Sequence, residues 1–290
     1  MAEFFQALFS VNLPFVRYAL LAGILSSAAF GVIGSLVVVK RISYIAGAIS
    51  HAALGGIGAA LFLQYHLGWT FMTPVLGAVA SAMISGAIIS IVNLRFRQRE
   101  DTIIGIIWAV GMAAGLLFIH KTPGYIDPMT YLFGNILLIS RFDLLVIVVL
   151  DLLVVMIAVL FYNQFLAVAF DENFARVRGL NTGFYQALLI MLTALTVVLL
   201  TTLVGIVMVI ALLTIPAAVG GLVTRRLKWM MVAATGFCML FTVGGIVSSY
   251  VLDLPSGAMI ILAASLVYVT VLAIKSVLRY RRRSTGSAPS

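Results

Sequence analysis

From Ala187 to Val223 the chain reads ALLIMLTALTVVLLTTLVGIVMVIALLTIPAAVGGLV, without one charged side chain. About 20 apolar residues in a helix cross the hydrocarbon core of a bilayer. This run is too long for one crossing and contains no polar loop, so it predicts two spans meeting at a tight hairpin near Gly205. A backbone in lipid must satisfy its own N–H and C=O groups, and apolar runs of this length do so as helices. The same reading along the chain predicts an all-α polytopic bundle of nine spans, at 15–39, 44–64, 72–94, 102–120, 142–162, 184–203, 205–223, 229–251 and 256–278. Together they make residues 1–290 a single transmembrane unit.

Composition agrees. Only 9% of the 290 residues are charged and 63% are hydrophobic, where a soluble domain carries about 25% charge. The net charge of +9 does not point to nucleic acid, because the basic residues sit at span ends, where they set orientation. An outside N-terminus places Lys40, Arg41, Arg95, Arg97, Arg99, Arg176, Arg178, Arg225, Arg226, Lys228, Lys275, Arg279, Arg281, Arg282 and Arg283 in the cytoplasm. It leaves only Arg17, Lys121 and Arg141 of the 18 basic residues outside. The first fourteen residues lack a basic start and a small-residue cleavage site, and read as a short interfacial helix. Residues 281–290, RRRSTGSAPS, read as a disordered tail. The outer loop 121–141 has an apolar second half too short to span, suited either to dipping into the membrane or to packing across an outer mouth.

One polar segment interrupts the pattern on the cytoplasmic side. FDENFARVRGL, residues 170–180, has an Asp171–Glu172 start, where acids favour a helix N-terminus, and a Gly179 stop. It predicts a short capped helix, a docking surface for a soluble partner, with Asp171, Glu172, Arg176 and Gly179 as its key residues.

Ionisable groups inside a membrane cost about 2.5–3.5 kcal/mol each on insertion scales, and are functional suspects. His51 lies in SYIAGAISHAALGGIG, among small residues that let helices approach or leave a lumen open. It reads equally as a nitrogen ligand for a transition metal and as a histidine hydrogen-bonded between helices. Asp151, in LLVIVVLDLLVVMIAVL, reads first as an interhelical hydrogen bond, second as a proton site. Glu100 and Asp101 read as helix-start acids. His120 and Asp127, at the outer end of the fourth span and in the loop after it, read first as solvated loop groups and second as groups that an arriving cation would meet. His66 reads as an exposed loop residue, and Pro216 as a kink in the seventh span. There is no GxxxxGK[ST] phosphate loop and no HExxH. The single cysteine, Cys238, excludes an intramolecular disulfide. Energy for transport must then come from a partner or a gradient.

Four segments, in order, resemble the ABC-3 family of metal-ion ABC transporter permeases: KRISYIAGAISHAALGG (40–56), EDTIIGIIWAVGMAAGLLF (100–118), YLFGNILLIS (131–140), and FDENFARVRGL with the run through VGIVMVIALLTIPAA (170–218). The resemblance implies a homodimer in the inner membrane, two copies of a cytoplasmic ATPase and an extracytoplasmic metal-binding protein. It implies no resident cofactor, and a divalent cation as cargo, zinc first, then manganese or iron. It makes residues 170–180 the coupling helix. Many members carry an Asp four residues before the motif histidine; here that position is Gly47. His51 is then without its carboxylate, and Asp101 becomes the first candidate for a second ligand, with His120 and Asp127 weaker. Two rival readings are a gradient-driven secondary transporter using Asp151 and an intramembrane enzyme with His51 as base.

Overall fold

A computed structural model of the chain describes residues 14–95, 100–124, Leu132 and 141–285. Its described regular elements are helices: α1 (Pro14–Lys40), α2 (Ser43–Leu67), α3 (Pro74–Arg95), α4 (Glu100–Lys121), α5 (Arg141–Leu160), α6 (Tyr162–Phe170), α7 (Glu172–Val177), α8 (Thr182–Val204), α9 (Ile206–Val223), α10 (Leu227–Leu252) and α11 (Ser256–Thr285). Among the described residues seven helices are long and apolar enough to cross a membrane, and eight if α5 and α6 form one span bent by 68°. The remaining expected span corresponds to α8, whose Thr182–Val198 part is a shorter apolar helix. The polytopic helical bundle expected from the sequence is thus the bundle observed, with seven or eight helices of spanning length among the described residues against the nine expected, and with one unforeseen break at Phe161.

The hairpin near Gly205 is a single residue. α8 stops at Val204, α9 starts at Ile206, and Gly205 stands at φ 90° and ψ 155°. That conformation is essentially glycine's alone. Pro216 sits inside α9, which continues through it. Between α1 and α2 the turn is also short. The Arg41 and Ile42 amides donate to the Val38 and Val37 carbonyls, and Arg41 adopts φ 60°. α11 runs through Thr285, so helix covers the first residues of the segment expected to be a disordered tail. Residues 286–290, the interfacial helix expected over the first fourteen residues except Pro14, and nearly all of the expected outer-mouth segment lie outside the described residues.

α1 and α2 form the centre. In their most apolar windows 67% and 83% of residues are buried, against 17% for α4 and for α11, which are therefore peripheral. α2 runs parallel to α4 and antiparallel to α3. Gly55 meets Gly111 and Gly58 meets Gly115, while Gly56 meets Gly77 and the Ala52 carbonyl accepts from Ser81 Oγ at 2.6 Å. Lipid tails are as apolar as leucine, so these helices are held by close packing of small residues and by hydrogen bonds. The glycine and alanine run noted in the sequence thus serves approach between helices.

Candidate metal site and cytoplasmic docking helix

His51 lies on α2, two turns from its start, and is only 8% exposed. Its Nδ1 is 2.9 Å from the Gly47 carbonyl oxygen. A carbonyl only accepts, so Nδ1 carries the hydrogen, and Nε2 is left as the nitrogen able to bind a metal in the neutral ring. The imidazole stacks on Trp108 of α4, with centroids 4.3 Å apart and planes at 23°. The same indole covers position 47: a Cβ there would come within 2.6 Å of the Trp108 ring. The place where a carboxylate would start is filled by an aromatic ring from the neighbouring helix. Sequence reading missed Trp108. The available signal was a bulky ring in EDTIIGIIWAVGMAAGLLF opposite a helix whose usual acid had become glycine.

The other candidate ligands do not join His51. Asp101 is exposed at the start of α4, seven residues before Trp108, or about 10 Å along the axis. His120 is exposed at the far end of the same helix, and Asp127 lies outside the described residues. Among the described residues no three of His, Cys, Asp and Glu gather as a metal-holding group. A cavity of about 560 Å³ opens between α2, α3 and α4. Apart from Ser81 and Ser85 its lining is apolar, so it offers a cation no charged or nitrogen ligand. His66, expected to be exposed, is so, and stacks on Phe62 at 4.2 Å.

Asp151 is half-buried in α5, and the Ala29 N–H of α1 donates to its Oδ1 at 2.9 Å. This is an interhelical hydrogen bond, here to backbone.

α7 is a capped helix of six residues. Asp171 is the N-cap, its Oδ1 accepting from the Phe174 amide at 2.9 Å. At the other end Leu180 N–H donates to Ala175 O and Gly179 N–H to Arg176 O, with Gly179 at φ 82°. That is the Schellman pattern. The charges turn inward to the chain itself. Glu172 pairs with Lys40 at 3.6 Å and with Arg176 at 3.3 Å, and Arg176 also reaches Thr182 at 3.4 Å. Lys40, mostly buried, further donates to the Val168 carbonyl. Ala175 is buried against the body, whereas Phe174 and Val177 are 56% and 88% exposed. Arg178 lies over the Phe174 ring. The charged residues singled out in the sequence therefore fix the helix, and its exposed apolar pair was overlooked.

Comparison with known proteins decides what this architecture serves. The model of the ABC 3 transport family matches residues 12–275. The chain belongs to the ABC 3 transport family. It is similar to a probable metal transport system membrane protein of Chlamydia muridarum, 36% identical over 92% of each chain. It is also similar to the manganese transport system membrane protein MntC of Halalkalibacterium halodurans, 35% identical over 91% of this chain and 88% of that one. Among solved structures it resembles a chain of PsaBC from Streptococcus pneumoniae, solved in complex with a Fab. The TM-score is 0.81 and identity 28%, covering 93% of this chain and 94% of that one. This ABC 3 family member is a multi-pass membrane protein and a metal-transport permease, not an enzyme.

Proposed function

We propose that the chain is the membrane subunit of an ATP-driven importer of divalent transition-metal ions. Two copies form the pathway, two cytoplasmic ATPases dock at α7, and an extracytoplasmic metal-binding protein delivers the cargo at the opposite face. The N-terminus lies outside the inner membrane and the C-terminus in the cytoplasm, as the distribution of basic residues favours.

The observation that carries this reading is α7. Six residues are capped at both ends, tied to α1 by Lys40–Glu172, and present Phe174 and Val177 outward. A helix this short is not stable alone. Such fixing, together with an apolar tip on an otherwise polar loop, suits an aromatic and aliphatic anchor in a partner's cleft. The rival gradient-driven reading loses support because the Asp151 carboxylate is engaged by an α1 amide.

For cargo, the donor favours zinc. His51 supplies an imidazole nitrogen, position 47 carries no carboxylate, and no group of three or more His, Cys, Asp and Glu forms among the described residues. A second reading, manganese, is favoured by the name of the MntC relatives. The test is uptake of zinc and manganese, separately and in competition, by the permease reconstituted with its ATPase. Zinc uptake that needs ATP and is lost in Val177→Asp supports the whole reading. ATP-independent uptake would overturn it.

A further inference from the structure

We propose that Trp108 is a positioning residue that leaves each copy's His51 to offer one nitrogen and no neighbouring carboxylate, selecting cations that accept imidazole over oxygen-preferring manganese. The proposal rests on His51 as the cargo contact and adds what sets the character of that contact.

Three observations meet at this ring. The indole lies almost flat on the imidazole, at 4.3 Å and 23°, which removes rotation of the His51 ring as a free variable. The Gly47 carbonyl takes the Nδ1 hydrogen at 2.9 Å, which fixes the tautomer and leaves Nε2 as the donor. The volume above position 47 belongs to the Trp108 ring, 2.6 Å from where a Cβ would stand, so no acidic side chain can enter there while the indole stays. Orientation, tautomer and exclusion of a neighbouring carboxylate thus share one cause, the seating of Trp108 over Gly47.

The chemistry follows from ligand preference. Imidazole suits zinc, iron, nickel and copper, whereas carboxylate, carbonyl and water suit manganese and magnesium. One neutral nitrogen from each copy, with no carboxylate at position 47, holds a cation weakly. Weak holding is what passage requires.

The test uses the purified full-length permease in lipid nanodiscs. In a Trp69→Phe and Trp229→Phe background Trp108 is the only tryptophan of the three. Cobalt(II) bound at His51 then sits against the indole and quenches its fluorescence saturably, and His51→Gln removes the quench. Equilibrium dialysis with zinc and with manganese follows, on wild type, Trp108→Leu, Trp108→Phe and His51→Gln. Trp108→Leu should weaken zinc binding about tenfold or more, the scale of losing a group that orients a ligand, and should narrow the preference over manganese. Trp108→Phe, which keeps a ring on the imidazole, should return most of both. Zinc binding unchanged in Trp108→Leu but lost in His51→Gln sinks the role of Trp108 and leaves the site standing. Binding or quenching that survives His51→Gln sinks the site itself. Manganese bound more tightly than zinc by the wild type overturns the selectivity. If Trp108→Leu does not fold, Trp108→Met takes its place in the dialysis with the same two outcomes, and an indole that cobalt(II) leaves unquenched overturns the site.

Discussion

Asp151 shows how one side chain can carry either packing or transport, and how to separate them. Its Oδ1 accepts from Ala29 N–H, and an asparagine can present the same oxygen without a titratable proton. Asp151→Asn should therefore keep both thermal stability and uptake. Asp151→Leu should cost about 0.5–1.5 kcal/mol, the net worth of one hydrogen bond, because the Ala29 amide lies inside α1. Thermal unfolding in detergent beside reconstituted uptake measures both, and a stable Asp151→Asn protein that no longer transports would restore the proton-site rival. Gly47 supplies a second residue-scale prediction. A Cβ there would collide with the Trp108 ring, so Gly47→Ala should destabilise by about 1–3 kcal/mol as overpacking. Adding Trp108→Leu should recover much of that loss, the non-additivity expected of residues in contact. Restoring a carboxylate by Gly47→Asp alone meets the same ring, and needs the smaller residue at 108 first.

At the scale of the element, α7 was legible to the extent that its caps were. Asp171 and Gly179 are signals written in local sequence, and both act as caps. The partners of its charges were not legible, because Lys40 is remote in the chain and only the fold brings it to Glu172. The same limit hid α6, whose run FLAVAF is apolar like a span and is set apart only by the bend at Phe161. Likewise His51 announced itself as a rare ionisable group, while Trp108 looked like any lipid-facing ring until the α2–α4 approach placed it. These placements predict a division of labour in α7. Val177→Asp and Phe174→Asp should abolish co-purification with the ATPase without changing the stability of the permease. Lys40→Met should leave the ATPase bound while lowering the transport obtained per ATP hydrolysed. Pull-down, and hydrolysis measured beside uptake, check both. An ATPase that binds Val177→Asp normally, or a fully coupled Lys40→Met, would refute the division.

For the whole molecule the sequence was most informative, since nine apolar helices in a row leave few architectures open. Which helix is central was harder to read. α2 and α4 are both apolar, yet one is enclosed and the other faces outward. What separates them is the all-round supply of small residues on α2, a matter of shape more than of hydropathy. The orientation yields a further prediction. In a Cys238→Ser background, a reagent confined to the outside should modify a cysteine placed at Gly124 and spare one placed at Asn173. The opposite pattern would invert the assignment of the two faces. The Lys40–Glu172 pair has a consequence on this scale as well. Lys40 ends α1, the Arg41–Ile42 turn follows, and α2 begins at Ser43, so His51 stands only about 12 Å along the axis from that turn. We infer that a displacement of α7 reaches the root of the helix that carries the imidazole by way of this pair. The molecule is in this respect a lever with a very short arm, and its fulcrum is a two-residue turn.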